Sequence, residues 1–152
     1  IGRTVAMKVM RGDKDLDDDR KQRFVQEAQL TGQLEHPNIV PVHDLGRDEQ
    51  GRAFYTMKFV KGVSLRDVLD KIKAGDAAMI AKDPLAALLT IFQKVCDSVA
   101  FAHSKDVVHR DLKPANIMIG EYGEVLVMDW GLAKVLRKQE SEVRSESTAQ
   151  SF

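Results

Sequence analysis

In VVHRDLKPANIMI, residues 107–119, an apolar strand ends at His109, a polar loop presents Asp111, Lys113 and Asn116, and a second apolar strand begins at Ile117. A carboxylate in such a loop can orient a hydroxyl and accept its proton. A lysine two residues on can neutralise a transferring phosphoryl group, and an amide oxygen five residues on can hold Mg²⁺. These are the groups that phosphoryl transfer needs. Asp129 follows the apolar run EVLVM (124–128) directly and precedes Gly131, so a strand delivers another hard oxygen ligand to the same mouth. NIMI and EVLVM, joined by GEYG, read as a tight hairpin that carries both ends of this constellation.

Working back along the chain, Asp83 as N-cap and Pro84 in the first turn open a helix with the stripe Leu85, Leu88, Leu89, Phe92, Val95, Val99 and Ala102, ending near His103. Before it, Ser64-x-x-Asp67 forms a capping box. Leu65, Val68, Leu69 and Ile72 then lie on one face of a short amphipathic helix that stops near Gly75. EHPNIVPVHDLG breaks a preceding helix at Pro37 and starts a strand; AFYTMKFV, after the turn signal DEQGR, supplies its antiparallel partner. The helix before Pro37 runs from about Asp18 to Leu34 with Phe24, Ala28, Thr31 and Leu34 along one face and Glu27 beside it. TVAMKVM (4–10) reads as a buried strand that carries one lysine, Lys8, which by itself could snorkel from a strand edge. Glu27 by itself could pair with Arg23 at i,i+4. The aspartates at 13, 15 and 17 suggest a calcium loop, but Asp18 stands where the turn needs glycine and Phe24 where a bidentate glutamate belongs. They read as an acidic loop before a helix. The tail from Arg137 is rich in serine, glutamate and arginine, with little to bury.

Composition narrows the function classes. The 152 residues suit one modest domain, and 43% hydrophobic residues suffice for a core. Lysine plus arginine equal aspartate plus glutamate at 23 each, so no global field recruits nucleic acid or an anionic membrane. The longest apolar stretch, Leu85 to Phe92, is far short of the roughly 18 residues that span a bilayer. No membrane contact and a cytoplasmic location are expected of this segment, with any anchor elsewhere in the parent protein. Cys96, the single cysteine, falls among apolar residues and reads as a small core residue. His36, His43 and His103 lack metal-ligand spacing, and His109 reads as a packed scaffold residue.

Taken in order, VAMK, the glutamate of RFVQEA, HRDLKPAN and DWG resemble the motifs of Hanks-type protein kinases, and HPNIV and DWGLAK resemble the bacterial serine/threonine branch. The resemblance runs nearly to Val135. It implies an α+β two-lobed fold: an incomplete N-lobe with hinge over 1–60, a partial C-lobe over 61–136, and the start of an activation segment over 137–152. It implies ATP and Mg²⁺ as cofactors and a protein substrate with serine or threonine, to which Lys113 points in place of the alanine usual in tyrosine kinases. Lys8 would contact the α- and β-phosphates and pair with Glu27. Met57 would be the gatekeeper behind the adenine, the Lys58 carbonyl and Val60 amide the hinge hydrogen bonds, with Ala6 above and Met118 beneath the ring. Asp111 would be the catalytic base, Lys113 would steady the γ-phosphate, and Asn116 and Asp129 would hold Mg²⁺. Arg110 resembles the receptor for a phosphorylated loop residue, with Ser141, Ser145, Ser147, Thr148 and Ser151 as candidate acceptors. A nucleotide-binding pseudokinase or scaffold is the alternative, and the complete set Lys8, Glu27, Asp111, Asn116 and Asp129 speaks against it.

Against the pattern, only Ile1-Gly2-Arg3 precedes VAMK in place of a glycine-rich loop, and the sequence stops before an Ala-Pro-Glu motif. Both ends therefore read as cut. The segment alone is expected to be inactive and poorly soluble, with one apolar face of the long helix uncovered. A homodimer formed through the full-length protein is left open. Trp130 stands where most of the family carries phenylalanine, which touches the switching between states rather than metal binding.

Overall fold

The computed structural model describes residues 2–10, 18–80 and 84–136. The acidic loop at 11–17, the N-cap assigned to Asp83, and the tail with its five candidate acceptors lie outside the described residues. Strand β1 (Val5–Val9), helix α1 (Asp18–Gly32), β2 (Val42–Arg47) and β3 (Ala53–Lys58) form the first half. Its sheet has the order β1-β3-β2 and is antiparallel throughout, with α1 packed on β2 and β3. Strand β1 is thus an edge rather than a buried strand. Met7 is 58% exposed, while Ala6 and Lys8 on the alternate face are half-buried, the period-two pattern of a sheet with one covered face.

Residues 59–61 lead into the second half: β4 (Gly62–Ser64), α2 (Leu65–Lys73), α3 (Ala77–Ile80), α4 (Pro84–Ser104), β5 (Val107–Val108), a 3₁₀ turn (Pro114–Asn116), β6 (Ile117–Gly120), β7 (Val125–Val127) and β8 (Lys134–Val135). The hairpin β6–β7 forms with β4 added on its outer side, and β5 pairs with β8. Both halves of the Ser64–Asp67 capping box are present, and Gly75 ends the helix region at φ +78°, a conformation that glycine adopts without a Cβ penalty.

The two halves share one core. Ile39 bridges to Val127, the Val40 amide donates to the Val127 carbonyl, the Val127 amide donates to the Asn38 carbonyl, and Asn38 Nδ2 donates to the Val125 carbonyl. Leu34, Ile39, Val95, Ala102, Val107, Ile117, Val125, Val127 and Trp130 pack around this stitch. Fully burying a side chain the size of Ile39 stabilises by roughly 1.5–3 kcal/mol, so segment 38–40 is held by apolar burial as well as by hydrogen bonds.

Helix α4 leaves one apolar face uncovered, as its sequence leads one to expect, and departs from expectation at Cys96. Its apolar stripe splits: Val95 and Ala102 enter the core, whereas Leu85, Leu89 and Phe92 stay exposed and line an apolar groove of about 290 Å³ with Leu65 and Leu69 of α2. Cys96 is exposed, because the helix rests on β5 and β7 through its neighbours Val95 and Ser98. By length and composition alone α4, 21 residues with an 18-residue stretch at mean hydropathy 1.5, could cross a membrane, a longer apolar element than the Leu85–Phe92 run suggests.

Candidate active site

The β1–β3 register sets Lys8 opposite Tyr55, and α1 brings Glu27 over that pair. Lys8 Nζ donates to Glu27 Oε1 at 2.6 Å and lies 3.4 Å from Asp129 Oδ1. Glu27 is buried and reaches across the sheet to Lys8, because a carboxylate taken out of water needs a partner and a solvated i,i+4 pair with Arg23 would not supply one. Burial alone would lower the Lys8 pKa, but the hydrogen bond and charge of Glu27, then those of Asp129, outweigh it and leave it raised. Lys8 therefore stays cationic. Gly131 passes so close that a Cβ there would sit 2.9 Å from Glu27 Oε2. The chain after Asp129 thus abuts the same carboxylate.

The loop of residues 109–116 holds its functional groups through its own backbone. His109 Nε2 meets the Met128 carbonyl at 2.9 Å, and the Asp111 amide donates to His109 Nδ1 at 3.2 Å. Together these contacts use both ring nitrogens of His109 within the loop and make it a brace rather than a base. Lys113 Nζ donates to Asp111 Oδ2 at 2.7 Å, and Asn116 Nδ2 donates to the same oxygen at 3.1 Å and to the Asp111 carbonyl at 2.9 Å. The Lys113 hydrogen bond is the main reason that the Asp111 pKa is lowered; desolvation opposes it, and Lys113 charge, Asn116 and His109 add to it. Asn116 spends its amide hydrogens on Asp111, which leaves its Oδ1 as a hard oxygen donor.

Met128 joins the two clusters. Its amide donates to the Asn116 carbonyl at 2.8 Å while its carbonyl meets His109, so the residue before Asp129 is fixed from both sides. Asp129 itself sits at φ +56° and Arg110 at φ +65°, backbone conformations that cost non-glycine residues energy and gather at functional sites. Among the described residues no group of three or more His, Cys, Asp or Glu side chains could hold a metal. Asn116 Oδ1 and the Asp129 carboxylate fit an ion shared with phosphate oxygens, the usual arrangement for Mg²⁺.

The residues assigned to a nucleotide base divide between the sheets. Ala6 and Met57 are direct cross-strand partners, whereas Met118 lies on β6 opposite Ser64 and Leu126. The Lys58 amide donates to the Pro41 carbonyl, and the half-buried Val60 amide has no hydrogen bond among the described residues. Behind Met57 a cavity of about 190 Å³ is lined by Lys8, Thr31, Tyr55, Asp129 and Trp130. Arg110 donates through Nε to the Leu132 carbonyl and lines a larger space of about 820 Å³ with Arg23 and Lys134, a cationic recess beside α1.

Trp130 is 1% exposed, with its ring 4.6 Å from that of His109 and Nε1 donating to the Val127 carbonyl at 3.4 Å. It shares the 190 Å³ cavity with Thr31, whose hydroxyl donates to the Glu27 carbonyl. The small Thr31 beside the large Trp130 keeps total volume near that of a larger apolar residue with phenylalanine. Trp130→Phe is expected to leave a void and Thr31→Leu to overpack, with the double change recovering fit. Denaturation of the four proteins is expected to give a coupling energy of roughly 0.5–3 kcal/mol, and additive losses would refute the pairing.

Tyr55 is the site residue that sequence reasoning missed. Its hydroxyl donates to Glu27 Oε1 at 2.7 Å. The available signal was a phenol inside an otherwise apolar strand, since a buried tyrosine hydroxyl needs an acceptor.

Residues 1–151 match the family model described as the protein kinase domain. The serine/threonine-protein kinase PknD of Protochlamydia amoebophila is 43% identical over 144 residues, which is 92% of this chain and 15% of that protein. The PknD proteins of Chlamydia muridarum and Chlamydia caviae are each 37% identical, over 99% and 86% of this chain and 16% and 14% of theirs. The chain thus spans about a sixth or less of the length of these curated relatives.

Proposed function

The chain belongs to the protein kinase domain family, as a bacterial Hanks-type member with an α+β fold, and from that premise we propose that its protein phosphorylates serine or threonine on protein substrates with ATP and Mg²⁺. The observation that carries this reading is the joining, through Met128, of the Lys8–Glu27–Asp129 cluster to the Asp111–Lys113–Asn116 network. In this reading residues 1–60 cover the nucleotide and 61–136 carry the catalytic loop.

Lys8, held cationic by Glu27, contacts the α- and β-phosphates. Met57, the Lys58 carbonyl, the Val60 amide, Ala6 and Met118 take the adenine. Asp111 orients the substrate hydroxyl and takes its proton as the oxygen attacks the γ-phosphorus and the bond to the β-phosphate oxygen breaks. Lys113, already on Asp111, is placed to steady the transferring group. Asn116 and Asp129 would hold Mg²⁺, which when bound would supply charge neutralisation for the transferring phosphate. The test is transfer of the labelled γ-phosphate of ATP to a protein substrate by the full-length protein. Acid-stable phosphoserine or phosphothreonine, dependent on Mg²⁺, is expected; no label on protein would overturn the reading.

Regulation belongs to the same proposal. Arg110 with Arg23 and Lys134 makes the recess beside α1 cationic, suited to a phosphate carried by the chain that follows. Mass spectrometry of the active protein is expected to find phosphate between Ser141 and Ser151 or just beyond Phe152. A fully active, wholly unphosphorylated protein would leave Arg110 a structural cation.

A further inference from the structure

The Lys8–Glu27 pair has a third member that the family motifs do not supply. Glu27 Oε1 accepts two hydrogen bonds, from Lys8 Nζ at 2.6 Å and from the Tyr55 hydroxyl at 2.7 Å. Tyr55 is 4% exposed on β3, the central strand of its sheet, directly opposite Lys8. The Lys8 ammonium lies 5.7 Å from the centre of the Tyr55 ring, and the ring of Phe24, one turn before Glu27 on α1, lies 5.3 Å from it. One side chain on the sheet's central strand therefore touches the lysine, the glutamate and the helix that carries the glutamate.

We propose that Tyr55 is a positioning residue: its hydroxyl anchors the Glu27 carboxylate, and with it α1, in the place where Glu27 meets Lys8. The inference rests on the kinase reading for its catalytic consequence but not for the anchoring itself. A buried phenol hydroxyl needs an acceptor, and Glu27 is the acceptor it has. Any outward displacement of α1 would leave that hydroxyl unpaired in the sheet's covered face, so Tyr55 and Lys8 bias α1 in the same direction. Desolvation, and then the hydrogen bond and charge of Glu27, raise the Tyr55 pKa, so the phenol remains a donor throughout the working pH range. A tyrosine kept only for packing would need the ring against Phe24 and nothing more.

Tyr55→Phe separates the two roles, because it keeps the ring and deletes the hydroxyl. In the full-length protein, without nucleotide, amide exchange in α1 is expected to rise roughly 10- to 100-fold while α4 stays unchanged, the effect of losing one hydrogen bond to a charged group. With ATP, kcat is expected to fall by roughly 10-fold or more while KM for ATP shifts by less than about 3-fold, since Lys8 itself remains for the bound nucleotide and only its placement for transfer is loosened. Unchanged exchange in α1 together with unchanged kcat, whatever happens to the melting temperature, would overturn the proposal and leave Tyr55 a packing residue. A wild-type protein that transfers no phosphate would overturn the kinase reading instead, and the exchange measurement would still decide whether Tyr55 anchors α1.

Discussion

Asp111→Ala is expected to lower phosphoryl transfer by roughly 10²–10⁴-fold, the range for removal of a general base, while Mg²⁺-dependent nucleotide binding persists. The separation follows from the hydrogen bonds. Asn116 Nδ2 donates to the Asp111 main-chain carbonyl as well as to its carboxylate, and the main-chain bond survives the substitution, so Asn116 keeps its place. His109 likewise holds the Asp111 amide rather than its side chain. The same network sets a pH expectation. Because Lys113 holds the Asp111 pKa below its ordinary value of about 3.9, the base stays ionised as pH falls to that value and below. Any stability that ionised Asp111 adds is complete above that ordinary pKa and is lost as pH falls through the lowered one. An acid limb of the rate profile above about pH 5 is therefore not expected to belong to Asp111, and Lys113→Ala is expected to move the Asp111 limb upward. Transfer at the wild-type rate by Asp111→Ala would remove Asp111 from the catalytic role.

What the sequence discloses depends on how local the cause is. The Ser64–Asp67 box, the stop at Gly75 and the β6–β7 hairpin are each decided within a few residues, and each formed as read. Helical and strand periods also give a face correctly, as for Ala28 and Thr31 on α1 and for Leu34 just past its end. They do not say how much of that face a neighbour covers. For that reason Cys96 is exposed and β1 is a half-exposed edge, whereas the uncovered apolar face of α4 was legible from the missing neighbours. Tyr55 was hidden for a different reason: its partner lies 28 residues away, on another element, and only the sheet register and the seat of α1 reveal the contact. Trp130 was legible as a departure, but its tilted ring contact with His109 joins two segments 21 residues apart through the fold.

Removal of the Asp129 carboxylate is expected to be as damaging as loss of the base, and in a distinguishable way. The side chain is about half exposed, it is placed by Met128, which the loop of residues 109–116 holds from both sides, and its Oδ1 lies 3.4 Å from Lys8. A carboxylate that supplies an ion's charge neutralisation is worth several kcal/mol, so Asp129→Ala is expected to cost about 10³-fold in transfer, or about 4 kcal/mol. Alanine, however, also suffers at φ +56°, a backbone state that Asn and Asp tolerate better than other non-glycine residues. Asp129→Asn removes the charge without that strain, which makes it the cleaner variant. Both are expected to lose transfer and to weaken the Mg²⁺ dependence of nucleotide binding, whereas Asp111→Ala retains that dependence. Only the alanine variant is expected to lose stability as well, by roughly 1 kcal/mol. Equal losses of stability in both, with the Mg²⁺ dependence of binding intact, would show that Asp129 shapes the backbone rather than holding the ion.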